Sequence, residues 1–238
     1  MRTVDRILAT SDIHGQNARF GRLLQSTHYE PERDLLIICG DIIDRGKENL
    51  ACLAACQALQ QQGAVCIKGN HEQFLERCLI EMTETDVWRA APSQYLYDWV
   101  TYNGGDTMYH EIKDLSAEKM TAILTWVQQL PLYFATGNFI FTHAGANTDK
   151  PIEENTEDEV VWTDDGFYYR PAYRDKIMIF GHIPTCRLRQ KESDSSQKGN
   201  TAIWFDTVYK DKIDVDCGGI FGGKLAAIEL PGMREFYE

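Results

Sequence analysis

Leu35-Leu36-Ile37-Ile38-Cys39-Gly40-Asp41-Ile42-Ile43-Asp44-Arg45-Gly46 states the plan of the whole chain. Leu35 to Cys39 form an apolar run too short for a helix, which reads as a strand buried on both faces. Gly40, free to adopt φ > 0, then turns the chain into a tip bearing two carboxylates and a guanidinium. The form recurs on either side. Residues 6–10 (RILAT) are a strand followed by Ser11-Asp12-Ile13-His14-Gly15, and residues 64–67 are a strand followed by Lys68-Gly69-Asn70-His71-Glu72. Helical stretches separate them: residues 17–28, residues 48–62 (rich in Ala, Leu and Gln, and ended by Gly63), and a third reaching Met82. Strand, helix, strand, helix predicts a layered α/β fold.

Further along, helices are expected at 93–102 and at 116–129, the latter with Ser116 as N-cap, and Asn103-Gly104-Gly105 reads as a turn. Strands are expected at 132–135, 139–142, 176–180, 201–206, 212–215 and 225–229. Two more polar tips follow strands here, Thr142-His143-Ala144-Gly145 and Gly181-His182-Ile183-Pro184. Residues 147–159 are acidic and read as a surface loop, and residues 189–200 as a mobile connection between strands. No repeat and no biased linker interrupts the chain, so residues 1–238 read as one domain.

The chain carries 24 Lys+Arg against 36 Asp+Glu, a net charge of −12. That balance disfavours nucleic acid or anionic membrane as a partner, yet permits phosphorylated substrates where bound cations reverse the local field. Its seven cysteines are scattered, mostly in apolar runs, and pair neither as CxxC nor with nearby histidines. They read as reduced structural thiols of a reducing compartment. The N-terminal stretch lacks the apolar core of a signal peptide, and no apolar run is long enough to span a bilayer. The expected location is the cytoplasm, and the oligomeric state is not legible.

His, Asp and Asn side chains at strand carboxyl ends gather in the crevice where layered α/β folds bind ligands. Four of the chain's six histidines lie in these tips. Asp12, His14, Asp41, Asn70, His143 and His182 together offer imidazole nitrogens, carboxylates and an amide oxygen. Mixed N and O donors suit Mn2+, with Fe or Zn2+ as alternatives, better than the all-oxygen preference of Mg2+ or Ca2+. The set exceeds what one open catalytic ion needs and fits two ions sharing a carboxylate, a pair that can clamp the attacking and leaving oxygens of an in-line displacement and make hydroxide available near neutral pH.

The ordered set D-x-H-G, G-D-x-x-D-R-G, G-N-H-E, H-A-G and G-H, from Asp12 to His182, resembles the metallophosphoesterases of calcineurin-like fold. The unbroken Gly40–Gly46 and Gly69–Glu72 segments resemble their phosphoprotein phosphatase branch, in a bacterial or phage-type form. The resemblance implies a layered β-sandwich of mixed sheets flanked by helices, with a dimetal site at the strand carboxyl ends. It also implies roles. Asp12, His14 and His182 would hold one ion, Asn70 and His143 the other, and Asp41 would bridge. His71, oriented by Asp44, would be the general acid, and Arg45 would bind phosphoryl oxygens. Arg170 is the candidate for a second phosphate-binding arginine. The chain departs from eukaryotic members in reading His143-Ala144-Gly145 where those tend to have His-Gly-Gly, so their regulatory surfaces are not expected.

The implied activity is hydrolysis of phosphoserine and phosphothreonine in proteins. The alternative is symmetrical cleavage of a dinucleoside polyphosphate such as diadenosine tetraphosphate, whose phosphate leaving group needs less protonation than an alkoxide. An intact Asp44–His71 pair favours the first. Other small phosphoesters stay open, as does phosphotyrosine. A non-catalytic scaffold would have lost ligands, and here each position is filled. Trp126, Trp162 and Trp204 read as core, Tyr168 and Tyr169 as candidates for the cleft wall, and Asp216 as a turn residue beside the site.

Overall fold

The computed structural model describes residues 4–84, 87–162, 165–190, 195–197 and 199–238. The strands are β1 (Arg6–Thr10), β2 (Asp34–Ile38), β3 (Val65–Cys66), β4 (Tyr133–Thr136), β5 (Phe139–Thr142), β6 (Ile177–Phe180), β7 (Trp204–Phe205), β8 (Lys212–Asp214), β9 (Ala226–Leu230) and β10 (Arg234–Tyr237). The helices are α1 (Asn17–Ser26), α2 (Asn49–Gln61), α3 (Asn70–Glu84), α4 (Gln94–Tyr102), α5 (Asp106–Ile112), α6 (Ala117–Gln128), α7 (Glu157–Val161) and α8 (Thr185–Gln190).

Two mixed sheets result, ordered β10-β9-β1-β2-β3 and β4-β5-β6-β8-β7. In the first, β1, β2 and β3 are parallel and β9 and β10 antiparallel. In the second, β5, β6 and β8 are parallel and β4 and β7 antiparallel. The period of two along each strand divides its side chains between layers. Leu8, Leu36 and Ile38 face the core built with α1 to α6, whereas Ala9, Ile37 and Cys39 meet Phe139, Phe141 and Ile179 between the sheets. Ile140, Met178 and Phe180 point to the outer side of the second sheet and pack on Val160, Val161 and Leu188. Helices cover both outer faces, which explains the continuous apolar strands. Each such fully buried Ile, Leu or Phe contributes roughly 1.5–3 kcal/mol over exposure.

At the edge of the first sheet where β1 and β2 begin and the antiparallel β9 ends, Arg6 ties these three strands together. Its guanidinium donates to both Asp34 carboxylate oxygens at 3.0 Å and to Glu229 Oε2 at 2.7 Å. The carboxyl ends of all six parallel strands, three in each sheet, face the crevice that holds the polar tips.

Several local expectations need correction. Residues 147–159 are not simply loop: Thr156 and Glu159 form a capping box that starts α7, each side chain accepting the other's backbone N–H. The strand expected over 201–206 is only Trp204–Phe205. Helices α5 and α8 and strand β10 had no clear sequence signal. The expected mobile connection begins inside α8, where Arg189 is buried and donates to the carbonyls of Ala202 and Ile203. Residues 191–194 and 198 of that connection lie outside the described residues. No helix among the described residues is long and apolar enough to cross a membrane.

Candidate metal centre

Six of the residues singled out at the strand tips adopt the left-handed region that non-glycine residues rarely enter: Asp12, His14, Asp41, Asp44, Arg45 and His182, with φ between 47° and 75°. Such backbone strain costs of order 1–3 kcal/mol per residue and persists where surrounding structure enforces it. Here it turns each side chain off the end of its strand into one crevice. Glycines make the approach possible: a Cβ on Gly181 would lie 2.2 Å from Asp12 Oδ2, and one on Gly69 would lie 2.3 Å from Asp41 Oδ1.

Asp41 lies in the middle. Its Oδ2 is 3.6 Å from His14 Nε2 and 3.8 Å from His71 Nε2, and its Oδ1 is 3.3 Å from His143 Nε2. Two three-donor groups therefore share this carboxylate, His14–Asp41–His71 and Asp41–His143–His182. Asp12 Oδ1 is 3.7 Å from His14 Nε2. Asn70 Oδ1 lies 2.9 Å from His143 Nε2 and 3.0 Å from His182 Nδ1. The imidazole of His182 thus sits with Asn70 and His143, and its link to Asp12 is through its backbone N–H, 3.0 Å from Asp12 Oδ2.

Hydrogen bonds on the far side of the rings set the tautomers. His14 Nδ1 donates to the Ile43 carbonyl and His143 Nδ1 to the Cys39 carbonyl, both at 2.8 Å. A carbonyl only accepts, so the proton sits on Nδ1 and the Nε2 lone pair faces the centre, the arrangement found behind metal-bound histidines. The His143 bond also joins the second sheet to the first.

Charge follows burial. Burial, then Arg45, holds His14 well below the usual imidazole range. Burial, then His143 and Arg45, pulls His182 down to about 3. Burial and the neighbouring Asp12 push Asp41 well above the usual carboxylate range. Neutral imidazoles and crowded buried carboxylates with lone pairs converging on one space are what a divalent cation would relieve. By the chemistry of this donor set, the residues fit two adjacent ions sharing Asp41.

His71 stands beside this cluster and differs from the other histidines. Its Nδ1 donates to a carboxylate, Asp44 Oδ2, at 2.6 Å, and its Nε2 faces Asp41. Asp44 is fully buried; burial pushes it well above the carboxylate range, opposed by the Trp99 indole N–H at 2.7 Å. Arg45 Nη1 lies in hydrogen-bond contact with His14 Nε2, which puts the guanidinium at the mouth of the cluster.

Arg170 sits elsewhere. Its guanidinium pairs with Asp149 at 3.3 Å and donates to the Gly166 carbonyl. It lines a cavity of about 420 Å³ together with Asn147, Asp158, Trp162 and Phe167. Trp162, expected in the core, is 38% exposed and forms the wall between that cavity and the centre: its ring meets His182 edge-on at 5.8 Å and its N–H donates to Gln73. Tyr168, considered for the cleft, is buried in the outer core, whereas Tyr169 is exposed. Asp216 accepts the Gly218 N–H and shapes the turn after β8.

The sequence reading also missed a residue inside its own motif. Glu72 is fully buried and accepts the backbone N–H groups of Asp41, Ile42 and Gly69 at 2.8–2.9 Å, which fastens the tip after β2 to the tip after β3. Its place directly after Asn70-His71 at a helix start was the available signal.

A histidine–carboxylate cluster that could hold metal, set where two facing mixed sheets end, is the kind of site that a metallophosphoesterase carries. The chain belongs to the calcineurin-like phosphoesterase family, whose sequence profile matches residues 5–219. That family uses divalent metal ions. The chain is 26% identical over 231 residues to serine/threonine-protein phosphatase 1 of Salmonella typhimurium, covering 94% of this chain and 91% of that one. It is 31% identical over 139 residues to the symmetrical bis(5'-nucleosyl)-tetraphosphatase of Chromohalobacter salexigens, covering 58% of this chain and 43% of that one. A crystal structure provisionally named a diadenosine tetraphosphatase superposes with a TM-score of 0.69 at 20% identity, covering 98% of this chain and 92% of that one.

Proposed function

We propose that this protein removes phosphate from phosphoserine and phosphothreonine side chains of proteins. The observation that carries the reading is the buried His71–Asp44 pair beside the metal centre. An alkoxide leaving group is basic, and a positioned acid accelerates its departure by roughly 10²–10⁴-fold. With Nδ1–H bonded to Asp44, His71 Nε2 is the ring nitrogen directed at the crevice; as an imidazolium, stabilised by the Asp44 carboxylate, the ring would give its Nε2 proton to the leaving oxygen and remain as the neutral Nδ1–H imidazole. Because His71 Nε2 also groups with His14 and Asp41 as a possible metal donor, metal binding by His71 is the competing role; a carboxylate behind Nδ1 suits either role, and metal analysis of His71→Asn decides between them.

Asp12, His14, Asp41, Asn70, His143 and His182 would hold two divalent ions, Mn2+ by preference, with Fe or Zn2+ as alternatives. Bound there, they would supply Lewis acidity and a lowered pKa for water. Arg45 would bind phosphoryl oxygens, a geometry suited to the planar guanidinium fork. Arg170 is the second candidate for this role, at the cost of exchanging its Asp149 partner for phosphate. The chain would work as one metallophosphoesterase domain over residues 1–238. Seven free cysteines, mostly buried, suit the cytoplasm.

The second reading is symmetrical hydrolysis of a dinucleoside tetraphosphate, favoured by the relatives that bear that name. Stripping the protein with chelator, restoring Mn2+ and comparing a phosphothreonine peptide with diadenosine tetraphosphate separates the two. Metal-dependent phosphate release from the peptide, with the dinucleotide barely turned over, is the expected result. The reverse preference overturns the protein phosphatase reading and leaves the metal centre standing.

A further inference from the structure

Helices α4 and α5, joined by Asn103-Gly104-Gly105, supply none of the strand-tip residues, yet they make two hydrogen bonds into the loop that carries Asp41, Asp44 and Arg45. The indole N–H of Trp99 donates to Asp44 Oδ2 at 2.7 Å, and the backbone N–H of Arg45 donates to the Gly104 carbonyl at 2.8 Å. Trp99 and Asp44 are both fully buried. The turn has no room to do otherwise. A Cβ on Gly105 would lie 2.3 Å from Trp99 Nε1, and one on Gly104, already at φ +76°, would lie 2.6 Å from Arg45 Cγ.

The hydrogen bonds on Asp44 are unevenly shared. Its Oδ2 takes both the Trp99 N–H and the His71 Nδ1–H, while Oδ1 is buried with no hydrogen-bond partner among the described residues. A carboxylate turns easily about its last torsion, which is broad and two-fold. Asn49 Oδ1 fixes only the Asp44 backbone N–H, at 2.8 Å. Among the described residues, the indole is therefore the one partner other than His71 that pins the side-chain oxygen on which His71 depends. Both Asp44 and Arg45 have positive φ, so the loop needs such outside clamps to hold its shape.

The geometry points to Trp99 as a positioning residue for the general acid: through Asp44 it fixes the tautomer and aim of His71, and the glycine turn behind it seats Trp99 and Arg45 together. This rests on the reading of His71 as the acid. The acid is the imidazolium, which gives its Nε2 proton to the leaving oxygen and is left as the neutral Nδ1–H tautomer bonded to Asp44; an Asp44 free to swing loosens both the aim of Nε2 and the hold on that tautomer.

Trp99→Phe removes the N–H and keeps an aromatic, though smaller, ring at this buried position. With Mn2+ present, kcat for a phosphothreonine peptide should fall by about 10–100-fold, a part of the full acid contribution, with KM unchanged. Turnover of p-nitrophenyl phosphate, whose leaving group needs little protonation, should fall less than about threefold, so the dependence of rate on leaving-group basicity steepens. A readout independent of turnover is the 15N spectrum of the metal-free protein: wild type should hold His71 in one Nδ1–H tautomer, and Trp99→Phe should give a mixture. Gly105→Ala, which drives the indole off Asp44 without deleting it, should reproduce both effects and serves if the Phe variant folds poorly. Equal losses on both substrates with the wild-type tautomer signal would overturn the proposal. His71→Asn run alongside separates the two levels. Selective loss there with none in Trp99→Phe removes Trp99 alone, whereas unselective loss in His71→Asn removes the acid reading and this inference with it.

Discussion

Glu72→Gln tests how the centre is held together. In the wild type one carboxylate accepts three backbone N–H groups, from Asp41 and Gly69 at Oε2 and from Ile42 at Oε1. Burial pushes Glu72 up, and those three amides oppose it. A glutamine of the same shape keeps one acceptor oxygen. Placed at the Oε2 position, it retains two bonds in weakened, uncharged form and points its NH2 at the Ile42 N–H, donor against donor. Loss of charge assistance and a mispaired buried donor each cost about 1–3 kcal/mol, so the sum is about 2–6 kcal/mol. That is a large share of the roughly 5–15 kcal/mol typical of a folded domain. Urea unfolding of the metal-free protein measures it directly. Because the Asp41 amide is one of the three, Mn2+ affinity measured by titration calorimetry should also fall at least about tenfold, some 1.4 kcal/mol. A variant within about 1 kcal/mol of wild type, with unchanged Mn2+ affinity, would show that Glu72 does not fasten the two tips.

His71→Asn should keep both metal ions and lose about 10²–10⁴-fold in kcat on alkyl phosphates while sparing activated aryl phosphates; loss of one ion by metal analysis would make His71 a ligand instead. Arg45→Ala should lower kcat and raise KM for any phosphoester, since its contacts to phosphoryl oxygens strengthen as charge develops, and unchanged steady-state kinetics would remove it from the site. Asp34→Asn should destabilise the fold by about 1–3 kcal/mol at pH 7 by weakening the Arg6 clamp. Burial raises the Asp34 carboxyl, but Arg6 and the Glu30 N–H outweigh it and hold Asp34 below its ordinary value. Its contribution is therefore complete above the unfolded pKa of about 3.9 and fades as pH falls through the lower folded value. The gap between variant and wild type in denaturant titrations should accordingly close in acid, and a gap that widens there would contradict the clamp.

The strand tips were legible because each is a local event: an apolar run that ends in a polar, glycine-edged turn. Asp12, Asp41, Asn70, His143 and His182 follow that rule, and the structure brings them together where the pattern implies. What stayed hidden depends on chain segments far apart in sequence. Trp99 reaches Asp44 across 55 residues, and Trp162 reaches Gln73 across 89. No local period announces such a contact, and an aromatic in an apolar stretch looks the same whether it fills a core or steers a carboxylate. Helix α7 was missed for a different reason: its acidic composition outweighed the Thr156–Glu159 capping box that starts it. Arg170 shows the converse limit, because sequence order put an arginine after His143 but could not reveal that Asp149 would claim it.

A two-ion centre bridged by Asp41 can be read from the Mn2+ stoichiometry in calorimetric titration of chelator-stripped protein. Two ions should bind per chain in the wild type, with both affinities weakened in Asp41→Asn. A single ion per chain, or two ions whose binding is indifferent to Asp41, would contradict it.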